Sequence, residues 1–425
     1  MDLARARSLA NQLVEALADT PPAPSDRAID TVDDLDRALS LATPGTVLTL
    51  DRTLVYPKPL TIRANGVTLR PAGELPLERM VEDLPLPRFT DGLTFAGDGS
   101  SGVGVEVRRA SAAVDIVVIR GARVSLDRVR VLGHPLAGGK RGIAAHGNGD
   151  VVVTRCHVDH CFGPYPGDDT QAIFAADMAP GLVIDNNYLS GGSETLMLGG
   201  MDASSAERMP RDVGIRGNTI TKRREWQTQA VGVKNLVEFK ACRDVLFADN
   251  DCSLSWGGHG QTGYLLMLTV RNQSGGAPWS TIANLDIVSN RWRAGAAAIN
   301  ILGRDNLKPS GVMSNVRIRS NEFLELDPIR WTGSKQMILI SGGPDALTID
   351  SNDFVGSGMT SVVYLDGKTP CTQLALTNNR WPKTTYGLFG NNVGAAASNF
   401  TETNPAWQRY VASGTIARNL EMSSS

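Results

Sequence analysis

One eight-residue frame, apolar-x-apolar-x-x-Asn-x-apolar, returns along the chain. It reads LVIDNNYL (182–189), VGIRGNTI (213–220), VLFADNDC (245–252), LDIVSNRW (285–292), VRIRSNEF (316–323), LTIDSNDF (347–354) and LALTNNRW (374–381). Its asparagines, Asn187, Asn218, Asn250, Asn290, Asn321, Asn352 and Asn379, stand 31, 32, 40, 31, 31 and 27 residues apart. VVVTRCHV (151–158) and VSLDRVRV (124–131) keep the apolar frame without the Asn, and VTLRPAG near Val67 begins an earlier copy. A period of this length marks a solenoid, in which each unit buries its apolar side only by stacking on its neighbours. Strand, short corner, strand, variable loop and third strand make one coil. The predicted fold is all-β, a right-handed parallel β-helix whose coils pair backbones about 4.8 Å apart. Corner asparagines in register predict a side-chain amide ladder, and Asn tolerates the left-handed backbone of a sharp corner. Leu189, Ile220, Trp292, Phe323, Phe354 and Trp381 should stack inside.

A solenoid exposes sheet edges at both ends, so covers are expected. The opening segment, with Leu3, Leu9, Leu13 and Leu17 at helical spacing, and Thr31–Asp51 fit an N-terminal cap over residues 1–45. The β-helix is expected over 46–382. The Asn pattern stops after Trp381, so 383–425 reads as a C-terminal cap or contact segment. The opening segment lacks a signal peptide's uninterrupted apolar core, and no stretch is long and apolar enough for a membrane span. The localisation expected is the cytoplasm, a virion if the chain is phage-encoded, or export by a route not recognised. A net charge of −2 gives no electrostatic reason to expect nucleic acid. The five cysteines, Cys156, Cys161, Cys242, Cys252 and Cys371, are odd in number and form no C-x-x-C pair, so buried free thiols are expected.

A further strand precedes each frame, including GIAAH (142–146), AIFAAD (172–177), TLMLGG (195–200), NLVEFK (235–240), LLMLTVR (265–271), AINILG (298–303), MILIS (337–341) and VVYLD (362–366). Stacked, these form one long parallel sheet. Long loops flank it on both sides, and loops on a rigid scaffold are where function concentrates. The shape expected is an elongated trough. Alternation turns Val237 and Phe239 inward and Glu238 and Lys240 outward onto its floor, with His146, Asp177, Arg271, Asn300, Tyr364 and Asp366 nearby. The walls add Asp168, Asp169, Lys222, Arg223, Arg224, Trp256, His259, Trp279, Arg304, Asp305 and Trp331. Exposed indoles are platforms for the apolar face of a sugar ring. Each charge also has a plain reading as a solvated strand face, and each Trp as a ring tucked under its own loop.

Three local signals are weaker than they look. GDGSSG (97–102) matches G-x-G-x-x-G, but a strand pattern follows where a dinucleotide site needs a helix. CHVDHC (156–161) suggests zinc, but Cys156 occupies a ladder position and alternation separates His157 from His160. No cofactor is expected; the alternative is calcium on Asp168, Asp169 and Asp177, whose oxygens suit a hard cation.

With these coils, and with KNLVEFK, RNQSGGAPWS and INILGRD, the chain resembles the pectate-lyase-like superfamily of right-handed parallel β-helices over roughly 124–381. It also resembles bacterial β-helix repeat proteins and phage tailspike-type proteins. The resemblance implies a polysaccharide partner held in the trough. It implies a virion spike or fibre, usually trimeric, that binds a surface glycan and in many cases cleaves it. The alternatives are a polysaccharide lyase or glycoside hydrolase acting on an acidic glycan, or a purely structural virion protein. On the enzyme reading Glu238 is acid or base, Asp168, Asp169 or Asp177 its partner, and Lys240 or Arg271 a base or carboxylate ligand. Trp256, His259, Trp279, Arg304, Trp331 and Tyr364 are the substrate-binding candidates. No diagnostic catalytic motif of the superfamily aligns with this sequence.

Overall fold

The structure, a computed structural model, describes residues 28–422 apart from 81–82, 110–114, 166, 230 and 394–399. The helix expected over the first 22 residues lies outside that range. Three parallel sheets of 13, 13 and 12 strands wind around one core as a right-handed β-helix. Sheet A holds the strands before the corner, sheet B those after it, and sheet C the third strand of each coil. In every sheet, consecutive coils are hydrogen-bonded neighbours.

The corner explains the repeat. Asn187 Nδ2 donates to Asn218 Oδ1 at 2.9 Å, and the same bond links Asn218 to Asn250, Asn250 to Asn290, Asn290 to Asn321, Asn321 to Asn352 and Asn352 to Asn379 at 2.9–3.0 Å. The backbone N–H of Cys156 enters the ladder on Asn187 Oδ1 at 2.8 Å, in the place its sequence position predicts. Two features differ from expectation. The left-handed residue is the one before the ladder Asn: Asn186, Gly217, Asp249, Ser289, Ser320, Ser351 and Asn378 all have φ between 54° and 62°. The ladder Asn itself is spent on hydrogen bonding. The ladder also runs one rung further than the sequence frame, because Asn379 donates to Asn419 Oδ1 at 3.2 Å. A helix, Pro405–Tyr410, interrupts the chain there, and the strands Val411–Ala417 and Leu420–Met422 then finish sheets A and B. One corner is also not short. Between Thr68–Pro71 and Arg88–Thr90 the chain runs down the side of the solenoid, where Arg79 Nε donates to Asn186 O at 3.1 Å and Nη1 to Thr219 Oγ1 at 2.8 Å.

Inside, Phe247, Trp292, Phe323, Phe354 and Trp381 form a stack with ring centroids 4.7–5.6 Å apart. At the N-terminal end, the helix Val32–Ser40 is capped by Thr31, whose hydroxyl accepts from Asp34 N, and it buries Leu35 in the core. Gly97, in the GDGSSG turn, leads into strand Ser101–Val103, with no helix following. A Cβ on Gly97 would lie 2.2 Å from Ala64 O, so the turn needs glycine for close coil approach.

All five cysteines are free and buried. Burial pushes every one of these thiols up, Cys371 to about 12. Thiolate is the reactive form, so none should react with a disulfide reagent such as DTNB in the folded protein, and all five should titrate after denaturation. A thiol that reacts at the folded-state stage would contradict this placement.

Candidate functional site

The outward row of sheet C runs Phe174, Met197, Glu238, Met267, Asn300, Leu339, Tyr364 and Phe389 in unbroken register. Glu238 is the one carboxylate in it. Two rows of loops wall this face. On the sheet A side they are stitched together: Asp177 binds Arg208 (3.0 Å), Asp202 accepts from Ser274 N and Gly276 N, and Arg271 pairs with Asp305 (2.9 Å). On the sheet B side, a small β-ribbon (Gly257–Gly258 with Gln261–Thr262) and the loops around it close over a second apolar cluster.

That second cluster decides the fate of the wall tryptophans. Trp256 and Trp331 pack with Phe162, Trp226, Val231 and Val233 and are 6% and 1% exposed. They are interior supports of the wall and offer no open face to a sugar, because the long loops must bury apolar surface of their own. Trp279 is half-buried. His259 is exposed at the ribbon tip. Arg304 Nη1 donates to Gly343 O at 3.1 Å, and Tyr364 OH donates to Asn391 Oδ1.

Near Glu238, three consecutive coils converge. Asn235 Nδ2 donates to Glu238 Oε2 at 3.1 Å, and Lys240 Nζ lies 3.7 Å from Oε1. Gln171 Nε2 donates to Glu194 Oε2 at 2.8 Å. Lys234 Nζ pairs with Asp169 Oδ1 at 2.6 Å and stands 3.7 Å from Glu194 Oε1. Below them Lys222 is buried, and its ammonium donates to the carbonyls of Gly191, Gly192 and Ser193. Burial, then the charge of Glu238, pushes Glu194 up to about 8. Burial pushes Lys222 down to about 7 against the opposing charge of Glu194. Asp169 is also penalised by burial, but its hydrogen bond and charge contact with Lys234 prevail and lower it. Beside Asp169, a cavity of about 320 Å³ is lined by Lys140, Phe162, Asp168, Asp169 and Thr170.

Of the residues expected from sequence, Glu238, Lys240 and Asp169 meet here. Asp168 lines the neighbouring cavity, and its Oδ2 accepts from Tyr165 N at 2.9 Å. Asp177 and Arg271 belong to the opposite wall's own pairs. Asp169 is held by Lys234 and Asp177 by Arg208, so the three acids considered for calcium do not converge. Among the described residues no group of three His, Cys, Asp or Glu side chains is arranged for a metal. His157 instead stacks on Tyr188, with ring centroids 4.7 Å apart. Sequence reasoning missed Glu194, Lys234, Asn235 and Gln171. The signal was present: Gln171, Glu194 and Asn235 each stand two residues before paired strand positions, Ile173, Leu196 and Val237.

No family model matches the chain, and no curated protein matches it in sequence. Solved structures do resemble it. The Dettilon tailspike protein gp208 superposes with a TM-score of 0.46 at 12% identity, over 87% of this chain and 66% of that one. The A-module of the Azotobacter vinelandii mannuronan C-5 epimerase AlgE6 gives 0.46 at 12%, over 92% and 93%. An alginate lyase from Paenibacillus gives 0.42 at 12%, over 87% and 98%. These are likenesses of fold. The chain thus spans just under two thirds of the tailspike's length.

Proposed function

We propose that the walled face of sheet C binds an extended acidic polysaccharide, as the glycan-binding part of a spike or fibre of virion type. The observation that carries this is which charges reach the trough. The Asp169, Lys234 and Lys240 side chains are 48%, 24% and 18% exposed, while Glu238 and Glu194 beneath them are 4% and 0%. Lys240 stands beyond hydrogen-bond distance of Glu238, so its ammonium retains donors for a ligand carboxylate. Glu238 fixes the position of that ammonium. Along the following coils the floor alternates Met267, Asn300, Leu339 and Tyr364, which suits sugar faces with intervening hydroxyls. Assembly as a homotrimer goes with this reading, and light scattering tests it against the 45.4 kDa of one chain.

Binding to a panel of capsular and exopolysaccharides should favour uronate-containing chains and weaken with salt. Lys240→Met should cost about 1.5–3 kcal/mol, roughly ten- to a hundredfold in Kd, for a charge-assisted bond. Equal affinity for neutral glycans, or an unchanged Kd in Lys240→Met, would sink the assignment.

The second reading, cleavage as a lyase or hydrolase, draws on two carboxylates, Glu194 and Glu238, in successive coils and both in contact with amides. The appearance of new reducing or unsaturated ends, abolished in Glu238→Gln, would establish it over binding alone.

A further inference from the structure

Gln171, Glu194 and Asn235 are rungs of a buried polar ladder at the start of sheet C. It begins at Asp115, whose Oδ2 is 3.5 Å from Arg141 Nη1. Arg141 Nε then donates to Gln171 Oε1 at 3.4 Å, and Gln171 Nε2 to Glu194 Oε2 at 2.8 Å. One rung further, Asn235 Nδ2 donates to Glu238 Oε2 at 3.1 Å. Every step has a donor facing an acceptor except the one between Glu194 and Asn235. There Glu194 Oε1 and Asn235 Oδ1 are both buried, and neither has a hydrogen-bond donor. Turning the Asn235 amide over only moves the conflict, since its oxygen would then face the Glu238 carboxylate. The segment is one proton short if both glutamates are ionised. A buried acceptor without a donor is destabilising, and a bound proton removes that penalty.

We propose that Glu194 is held as a neutral carboxylic acid whose Oε1 proton is donated to Asn235 Oδ1, so that Glu194 acts as a positioning residue. Its proton fixes the Asn235 amide with Nδ2 toward Glu238, and so sets Glu238 beneath Lys240. The surroundings agree: Glu194 is fully buried, and the neighbouring charge of Glu238 also opposes its ionisation. The titratable groups facing it are Asp169 and Lys234 at the rim, Glu238 and Lys240 on the next coil, and Lys222 below. Lys234, at 3.7 Å from Oε1 and already on Asp169, is the competitor that would pair with an ionised Glu194.

Because Glu194 binds its proton more tightly folded than unfolded, stability contributed by that proton is greatest at low pH. It falls as pH rises from the ordinary carboxylate range to about 8 and is level above. The experiment is infrared difference spectroscopy of wild type minus Glu194→Gln, with unfolding midpoints of both across the same pH range. Expected at about pH 6 is a protonated-carboxyl C=O band, replaced by carboxylate bands above about 8. Asn235→Ala should shift that band, since it removes the acceptor. The midpoint of wild type relative to Glu194→Gln should decline over the same window. Carboxylate bands already present at the lower pH, or a midpoint difference independent of pH, would overturn the proposal. A band unmoved by Asn235→Ala would overturn the role given to Asn235. None of these readouts involves a glycan, so they stand or fall apart from the function proposed above.

Discussion

Replacing Asn290 by Asp should destabilise the protein by about 4–5 kcal/mol, and by Ala about 3–4 kcal/mol. Asn290 is 2% exposed and uses its whole amide. Nδ2 donates to Phe247 O, Val288 O and Asn321 Oδ1 at 2.9–3.0 Å. Oδ1 accepts from both the backbone N–H and Nδ2 of Asn250 at 2.9 and 3.0 Å. Alanine leaves the Asn250 backbone N–H buried without an acceptor. Aspartate keeps that acceptor but turns a second oxygen toward three acceptors, which forces a buried charge or a costly protonation. Equilibrium chemical denaturation of the two variants gives the order directly. Equal stability of Asp and Asn at this position would show that the ladder does not depend on amide polarity.

The aromatic stack supplies the second large effect. Trp292 is fully buried between Phe247 (5.4 Å) and Phe323 (5.6 Å, planes 6° apart). Trp292→Ala should cost about 3–5 kcal/mol through lost burial and the cavity left in a wall of stacked coils that cannot collapse inward. Trp292→Phe should cost about 1 kcal/mol or less, for a specific reason. The indole Nε1 has no hydrogen-bond partner inside the core, so removing it relieves an unpaired buried donor while the ring stack is kept. The ratio of the two losses, read from denaturation midpoints, checks this. A Phe variant as damaged as the Ala variant would mean that indole volume, and not stacking, carries the site.

Both features were legible in the sequence because each is a rule of one coil repeated. A ladder Asn makes its bonds to the Asn of the next coil, so a fixed frame is enough to predict it. The left-handed position is less legible, because Asn itself suits such a corner on conformational grounds, yet the residue before it takes the positive φ. The hydrogen-bond demand of a buried ladder outweighs that preference, and Asn186, Asp249 or Ser289 takes the strained position. The last rung at Asn419 was hidden because its frame is broken: Gly414 and Glu421 stand where Leu374 and Trp381 stand one coil earlier.

The site divides along the same line. By itself the sequence determined the outward direction of Glu238 and Lys240, because alternation within a strand is local. It also determined the strands, the inward stack and the row of corner asparagines. Only the tertiary structure decided what stands beside Glu238. Loops of unequal length lie between the strands, so the partner in the next coil is set by the register of stacking and not by any local spacing. That register brings Glu194 and Asn235 to one level and sends Asp177 and Arg271 to the far wall. It also turns Trp256 and Trp331 into the buried supports of a wall, since a long loop over a sheet needs a small core to hold it there.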